Sequence, residues 1–177
     1  MKLLAFAASS SSKSINKQLA TYAASQVTHN DGVEIETLDL NDYELPLFSE
    51  DREAELGQPQ LAKDFLAKLG QADAIIISFA EHNGYYTSAY KNLFDWVSRI
   101  NRELYQNKPM VLLSTSPGPR GAATVLAAAS AATPHFAGDV KASLSIPSFY
   151  DNFDIDKQVL TNPELLDKLH SALALLG

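Results

Sequence analysis

The chain contains no cysteine. That one absence removes disulfides, thiolate zinc sites, iron–sulfur clusters and a cysteine nucleophile together. Long apolar runs are missing as well. No stretch approaches the ~20 residues that a membrane-spanning helix needs, and the opening MKLLAFAASS, with one lysine and a brief apolar run, is too short for a secretion signal. Positive charge is scarce: 14 Lys and Arg stand against 21 Asp and Glu, a net charge of −7. A nucleic-acid surface needs a basic stripe, so neither a nucleic acid nor a membrane is expected as a partner, and the acidic balance fits a soluble protein of the cytoplasm. Several signatures are also absent. There is no G-x-x-x-x-G-K-[ST] phosphate loop, no G-x-G-x-x-G dinucleotide fingerprint, no G-x-S-x-G hydrolase elbow and no H-E-x-x-H zinc pair. The histidines at 29, 82, 135 and 170 are scattered, so no metal site is expected.

What is present is an alternation. Apolar runs at residues 2–8, 74–79, 110–114 and 140–146, with a more exposed β-branched run at 33–40, read as five strands. Segments of helical period separate and follow them, at 16–27, 58–69, 88–100, 122–133 and 163–176. The last opens on TNPE, an N-cap signal followed by proline. The charged DREAELGQ between the second strand and the second helix reads as a solvated loop or helix start. Near-continuous apolar strands alternating with helices imply a parallel sheet covered on both faces. With 177 residues and one core, the expectation is a single α/β domain over 1–177. Its form is a flavodoxin-like three-layer sandwich with a five-stranded parallel sheet in the order 2-1-3-4-5.

In that architecture ligands bind beyond the carboxyl ends of the strands, at the switch point between the first and third. Three loops fall there: SSSSKS, AEHNGYYTS and TSPGPRGA. The first joins a buried strand to a helix, where free backbone N–H groups and a helix dipole favour an anion. Its serines add hydroxyl donors, and a simple helix cap at Ser12 or Ser14 is the other reading. In the second loop Asn83-Gly84 is a turn signal requiring positive φ. Tyr85, Tyr86 and Tyr90 beside it suit packing on a planar ligand or on the edge of the core. In the third, Gly118 and Gly121 allow close backbone approach to a ligand, or make a plain strand-to-helix turn.

Taken together, these loops resemble the NAD(P)H-dependent FMN reductase family, the flavodoxin-like group that includes quinone, chromate and azo-dye reductases. AEHNGYYTSAYKNLFDWVSR resembles its P-E-Y-N-G-S-x-P-x-x-L-K-N-x-x-D-W block, ASSSSKSIN its G-S-x-R-x-x-S-x-N phosphate loop, and STSPGPRGA its S-x-x-G-x-x-G turn. Ser11 stands where the family pattern has arginine, and His82 where it has tyrosine.

The resemblance implies that Ser9, Ser11, Ser14, Ile15 and Asn16 hold the FMN phosphate. It implies Glu81, His82, Asn83 and Gly84 along the ribityl chain and ring edge, and Ser116, Pro117 and Gly118 on the other side of the ring. It implies flavin-centred chemistry with no catalytic side chain and no metal. NADPH or NADH is the implied reductant, and a quinone or free flavin the implied acceptor. A homodimer or homotetramer is implied; since aromatic residues are enriched at interfaces, the tyrosine-rich loop and the helix carrying Trp96 are the expected contact. A flavodoxin-type electron carrier, or a flavin-free binding domain of the same fold, remains the alternative.

Overall fold

The computed structural model describes residues 1–28 and 32–177, so His29 lies outside the described residues. Strand β1 (Lys2–Ala8) is buried at every position after the first. Its side chains alternate between two cores: Leu4, Phe6 and Ala8 enter one, Leu3 and Ala5 the other. Strands β3 (Ala74–Phe79) and β4 (Pro109–Thr115) repeat this, Ile75 and Ile77 opposing Ile76, and Leu112 opposing Val111. Strands apolar on both faces belong inside a layered α/β fold, because each face must be covered by helices. Strand β2 (Glu34–Leu38) forms one edge and is exposed until Leu38. Strand β5 (Asp139–Ile146) forms the other.

The sheet is parallel throughout, as the alternation predicts, and its order is β2-β1-β3-β4-β5, as expected of the flavodoxin-like form. Helices α1 (Ile15–Ser25) and α7 (Pro163–Leu173) cover one face. Helices α3 (Gln60–Gln71), α4 (Ser88–Ile100) and α5 (Ala123–Ala132) cover the other. The charged run before α3 is helix α2 (Glu50–Leu56), with no buried residue and Ser49 accepting from the Arg52 N–H as its cap. Beyond β5 the chain adds a short helix α6 (Phe149–Asn152) and an antiparallel pair, β6 (Phe153–Asp154) and β7 (Val159–Leu160). Two-residue strands are too short to leave a period in the sequence, so nothing there signals the pair.

Trp96 is fully buried, and its indole N–H donates to the Pro46 carbonyl at 2.7 Å while its ring meets Phe48 edge-on. It pins the strap between β2 and α2 onto α4. Trp96 itself therefore faces inward, and any contact made by α4 with another chain would use the other side of the helix.

Candidate functional site

The first, third and fourth strands end side by side at Ala8, Phe79 and Thr115. Their loops therefore meet. In the first loop, the Ser9 hydroxyl accepts from the Ser11 N–H, the Ser14 N–H donates to the Ser11 carbonyl, and the Ser14 hydroxyl accepts from the Lys17 N–H. Ser14 is thus the cap of α1. Among the described residues, none accepts from the backbone N–H groups of Ser12, Lys13, Ile15 or Asn16. The first turn of α1 carries no acidic residue. Unsatisfied donors at the positive end of a helix dipole, free of a competing carboxylate, suit an anion. Lys17 is occupied by an ion pair with Asp39, and its ammonium holds the Asp39 carboxyl below its ordinary range. Lys13 makes no ion pair among the described residues.

Asn16 is held differently from its neighbours. Its side chain is 3% exposed, with Oδ1 accepting from the Ser78 hydroxyl (2.8 Å) and the Thr115 N–H (3.0 Å). Its Nδ2 donates to the Thr115 carbonyl at 3.1 Å. The carboxamide therefore staples α1 to the ends of β3 and β4, and only its backbone N–H remains for a ligand.

The second loop is a tight hairpin. Asn83 and Gly84 have φ of 53° and 80°, and His82 and Tyr85 exchange two backbone hydrogen bonds. This is the positive-φ turn that Asn-Gly encodes. Glu81 reaches away from it: its carboxylate accepts from the Val125 N–H at 2.8 Å. Helix α5 begins at Ala122 in a left-handed conformation without a side-chain cap, so Glu81 supplies that cap from another loop. The Thr87 hydroxyl donates to the Ala8 carbonyl and caps α4, which ties the second loop to the first strand.

The tyrosines of this loop turn elsewhere. Tyr90 is buried with its hydroxyl 2.5 Å from that of Tyr105, and Tyr86 packs against Phe79 and Tyr90. Burial pushes the Tyr86 phenol up to about 12 and Tyr90 well above its ordinary value, so both stay neutral. They belong to the core edge.

In the third loop the two glycines separate. Gly121 has φ of 56°, and a Cβ there would stand 2.3 Å from the Ser145 hydroxyl. It approaches its own chain, where both Ser114 and Ser145 hydroxyls donate to its carbonyl. Gly118 has open space around it.

These loops enclose a cleft of about 260 Å³. Ser9, Ser11, Ser14, Ile15 and Asn16 line it from the first loop, Glu81 and His82 from the second, Ser116 and Pro117 from the third. Asn83, Gly84 and Gly118 do not line it. Lys13 and Tyr150 also line it. Lys13 carries the one charge signal in its loop, but its direction is not legible from sequence. Tyr150 follows the fifth strand, away from every loop that the topology singles out. No cluster of metal-ligating side chains occurs among the described residues.

Residues 1–150 match the sequence profile of the family described as NADPH-dependent FMN reductase. The chain belongs to that family. A family relative, an NAD(P)H-dependent FMN reductase of Pseudomonas aeruginosa, is 34% identical over 92 residues, which cover 52% of this chain and 48% of the relative. A 2-hydroxy-1,4-benzoquinone reductase of a Burkholderia species is 32% identical over 111 residues, covering 62% of this chain and 57% of that one. The chain thus spans about half the length of these relatives. Among solved structures, the flavoenzyme NAD(P)H:acceptor oxidoreductase of Paracoccus denitrificans superposes with a TM-score of 0.74 at 22% identity, covering 99% of this chain and 94% of that one. That likeness is one of fold. No helix of the described residues is long and apolar enough to cross a membrane.

Proposed function

We propose that this reductase-family chain binds FMN in the three-loop cleft and uses it to carry electrons from NADPH or NADH to a small acceptor such as a quinone or free flavin. One observation carries the reading: Lys13, Ile15 and Asn16, whose backbone N–H groups have no acceptor among the described residues, line the same cleft as His82, Ser116 and Pro117. The donor set fits the group. A dianion needs N–H and O–H donors, and the first loop supplies both, with Lys13 at the rim. When bound, FMN supplies hydride and electron transfer, and the chain supplies position and electrostatics. Ser11, Ser14 and the N–H groups of Ile15 and Asn16 would hold the phosphate. His82, Ser116 and Pro117 would border the ring. Glu81 and Asn16 would act by holding the loops in register, since both side chains are engaged with protein N–H groups. No side chain in the cleft is required as acid or base. We propose further that the chain assembles as a homodimer or homotetramer in the cytoplasm, with the half-exposed Tyr85 at the contact. Sedimentation of the purified chain as a monomer would remove that part.

The cofactor reading has a direct test. FMN at about a hundred times its dissociation constant adds about 2.7 kcal/mol to stability, so the melting temperature of flavin-stripped protein should rise with FMN. NADPH or NADH oxidation should then depend on added FMN and a quinone. An unmoved melting temperature rejects the assignment.

A second expectation concerns Ser14. Its oxygen accepts from Lys17 N–H, which leaves its own proton to donate. Ser14→Ala should cost about 1 kcal/mol of stability as a lost cap. It should also weaken FMN by roughly 1.5–3 kcal/mol while leaving riboflavin, which has no phosphate, nearly unchanged. Calorimetric titration of both ligands measures the ratio, and an unaltered ratio makes Ser14 a cap alone.

A further inference from the structure

The three loops give the cleft hydroxyls, amides, one imidazole, one ammonium and the Glu81 carboxylate already bonded to the Val125 N–H, but no benzene ring. That ring comes from α6. Tyr150 lines the same cleft and is 58% exposed. Its position is imposed by the turn before it. Ser148 has φ of 46°, a left-handed conformation that a non-glycine residue keeps only where its surroundings demand it. Its N–H donates to the Gly118 carbonyl (2.9 Å), and the Phe149 N–H donates to the Ser116 carbonyl (3.0 Å). The turn is thereby clamped to the third loop. Phe149 is fully buried and stacked on Phe153 with centroids 4.7 Å apart, while Tyr150 meets Phe149 edge-on at 5.5 Å. The inward ring of the pair anchors, and the outward ring is left beside Ser116 and Pro117. The tyrosines of the second loop do not line this cleft, and Tyr90 is closed off from any ligand.

We infer that Tyr150 is the aromatic wall of the cleft and stacks on the planar ring system of the flavin. This rests on the FMN reading and adds the residue that would recognise the ring. An exposed, polar-tipped aromatic standing over a polar cleft is suited to a planar, electron-poor heterocycle, since offset stacking adds attraction beyond area burial.

The test is a fluorescence titration of FMN, riboflavin and lumiflavin (the ring system alone) into wild type, Tyr150→Leu and Tyr150→Phe. A stacked phenol or phenyl dims bound flavin. Tyr150→Leu should weaken all three ligands by the same factor, about three- to tenfold. It should restore the emission of bound flavin and leave the FMN-to-riboflavin ratio as it was. Tyr150→Phe should behave as wild type. Because Tyr150 is exposed, the melting temperature of Tyr150→Leu in the absence of flavin should not move. Unchanged affinity and emission in Tyr150→Leu overturn the inference while leaving the FMN reading standing. So does a loss confined to FMN, which would make the hydroxyl a phosphate ligand. Wild-type protein that binds none of the three overturns the FMN reading and this inference together.

Discussion

Gly121→Ala should destabilise the protein by about 2–5 kcal/mol, against almost no change for Gly118→Ala in the same loop. Two costs combine at Gly121. A left-handed backbone costs a residue with a Cβ about 1–2 kcal/mol, and forcing a new atom into packed surroundings costs about 1–3 kcal/mol. The surroundings are specific: the added carbon would meet the Ser145 hydroxyl at 2.3 Å and the Ile146 backbone at 3.0 Å. Ser145 must then leave the Gly121 carbonyl, and the Ser114 hydroxyl bonded to the same oxygen loses its geometry. At Gly118 nothing stands within 4 Å of the added carbon, and φ is not positive. Denaturant unfolding of the two variants measures the difference. The third loop would also shift in Gly121→Ala, so flavin affinity should fall with stability. Equal stabilities would mean that the turn relaxes freely, and that Gly121 does not hold the loop against β5.

Asn16→Leu is expected to cost about 2–6 kcal/mol, because it leaves the buried Thr115 N–H and Ser78 hydroxyl without partners, at about 1–3 kcal/mol each. A domain of this size has only about 5–15 kcal/mol to lose, so the melting temperature should drop by roughly 5–20 °C. Ser78→Ala is the informative partner. It removes one donor from Asn16 Oδ1, which still accepts from Thr115, and should cost only about 1 kcal/mol. The leucine variant should also lose flavin, since α1 is no longer tied to the ends of β3 and β4. A milder effect at Asn16 than at Ser78 would refute the staple.

The strands were legible because their signal is local, and their order because five strands alternating with helices in a chain of this length suit one common doubly wound topology. Residues 74–79 are apolar at five of six positions, and a run buried on both faces needs no partner to be recognised. The Asn83-Gly84 turn was legible for the same reason: two adjacent residues tolerate positive φ better than any others. The first loop was half legible. A strand, small hydroxyl residues and a helix in that order place free N–H groups at a helix start, whatever the rest of the chain does. By itself, then, the sequence determined the sheet, its order and the place where the three loops meet.

Which side chain faces the cleft was decided only by tertiary structure, because that depends on partners far along the chain. Asn16 has the right type for a phosphate ligand, and it is taken by Thr115, 99 residues away. Glu81 has the right type for a ring-edge contact, and it caps α5 because Ala122 cannot. Tyr90 follows the right loop, and the period of α4 turns it inward to Tyr105. Tyr150 sits in no loop that the strand order singles out, and it enters the cleft through two backbone bonds to the third loop. Residue type and position in a loop are properties of the sequence. A hydrogen-bonding group is available to a ligand only if no protein group has already claimed it, and that competition is settled when the chain is folded.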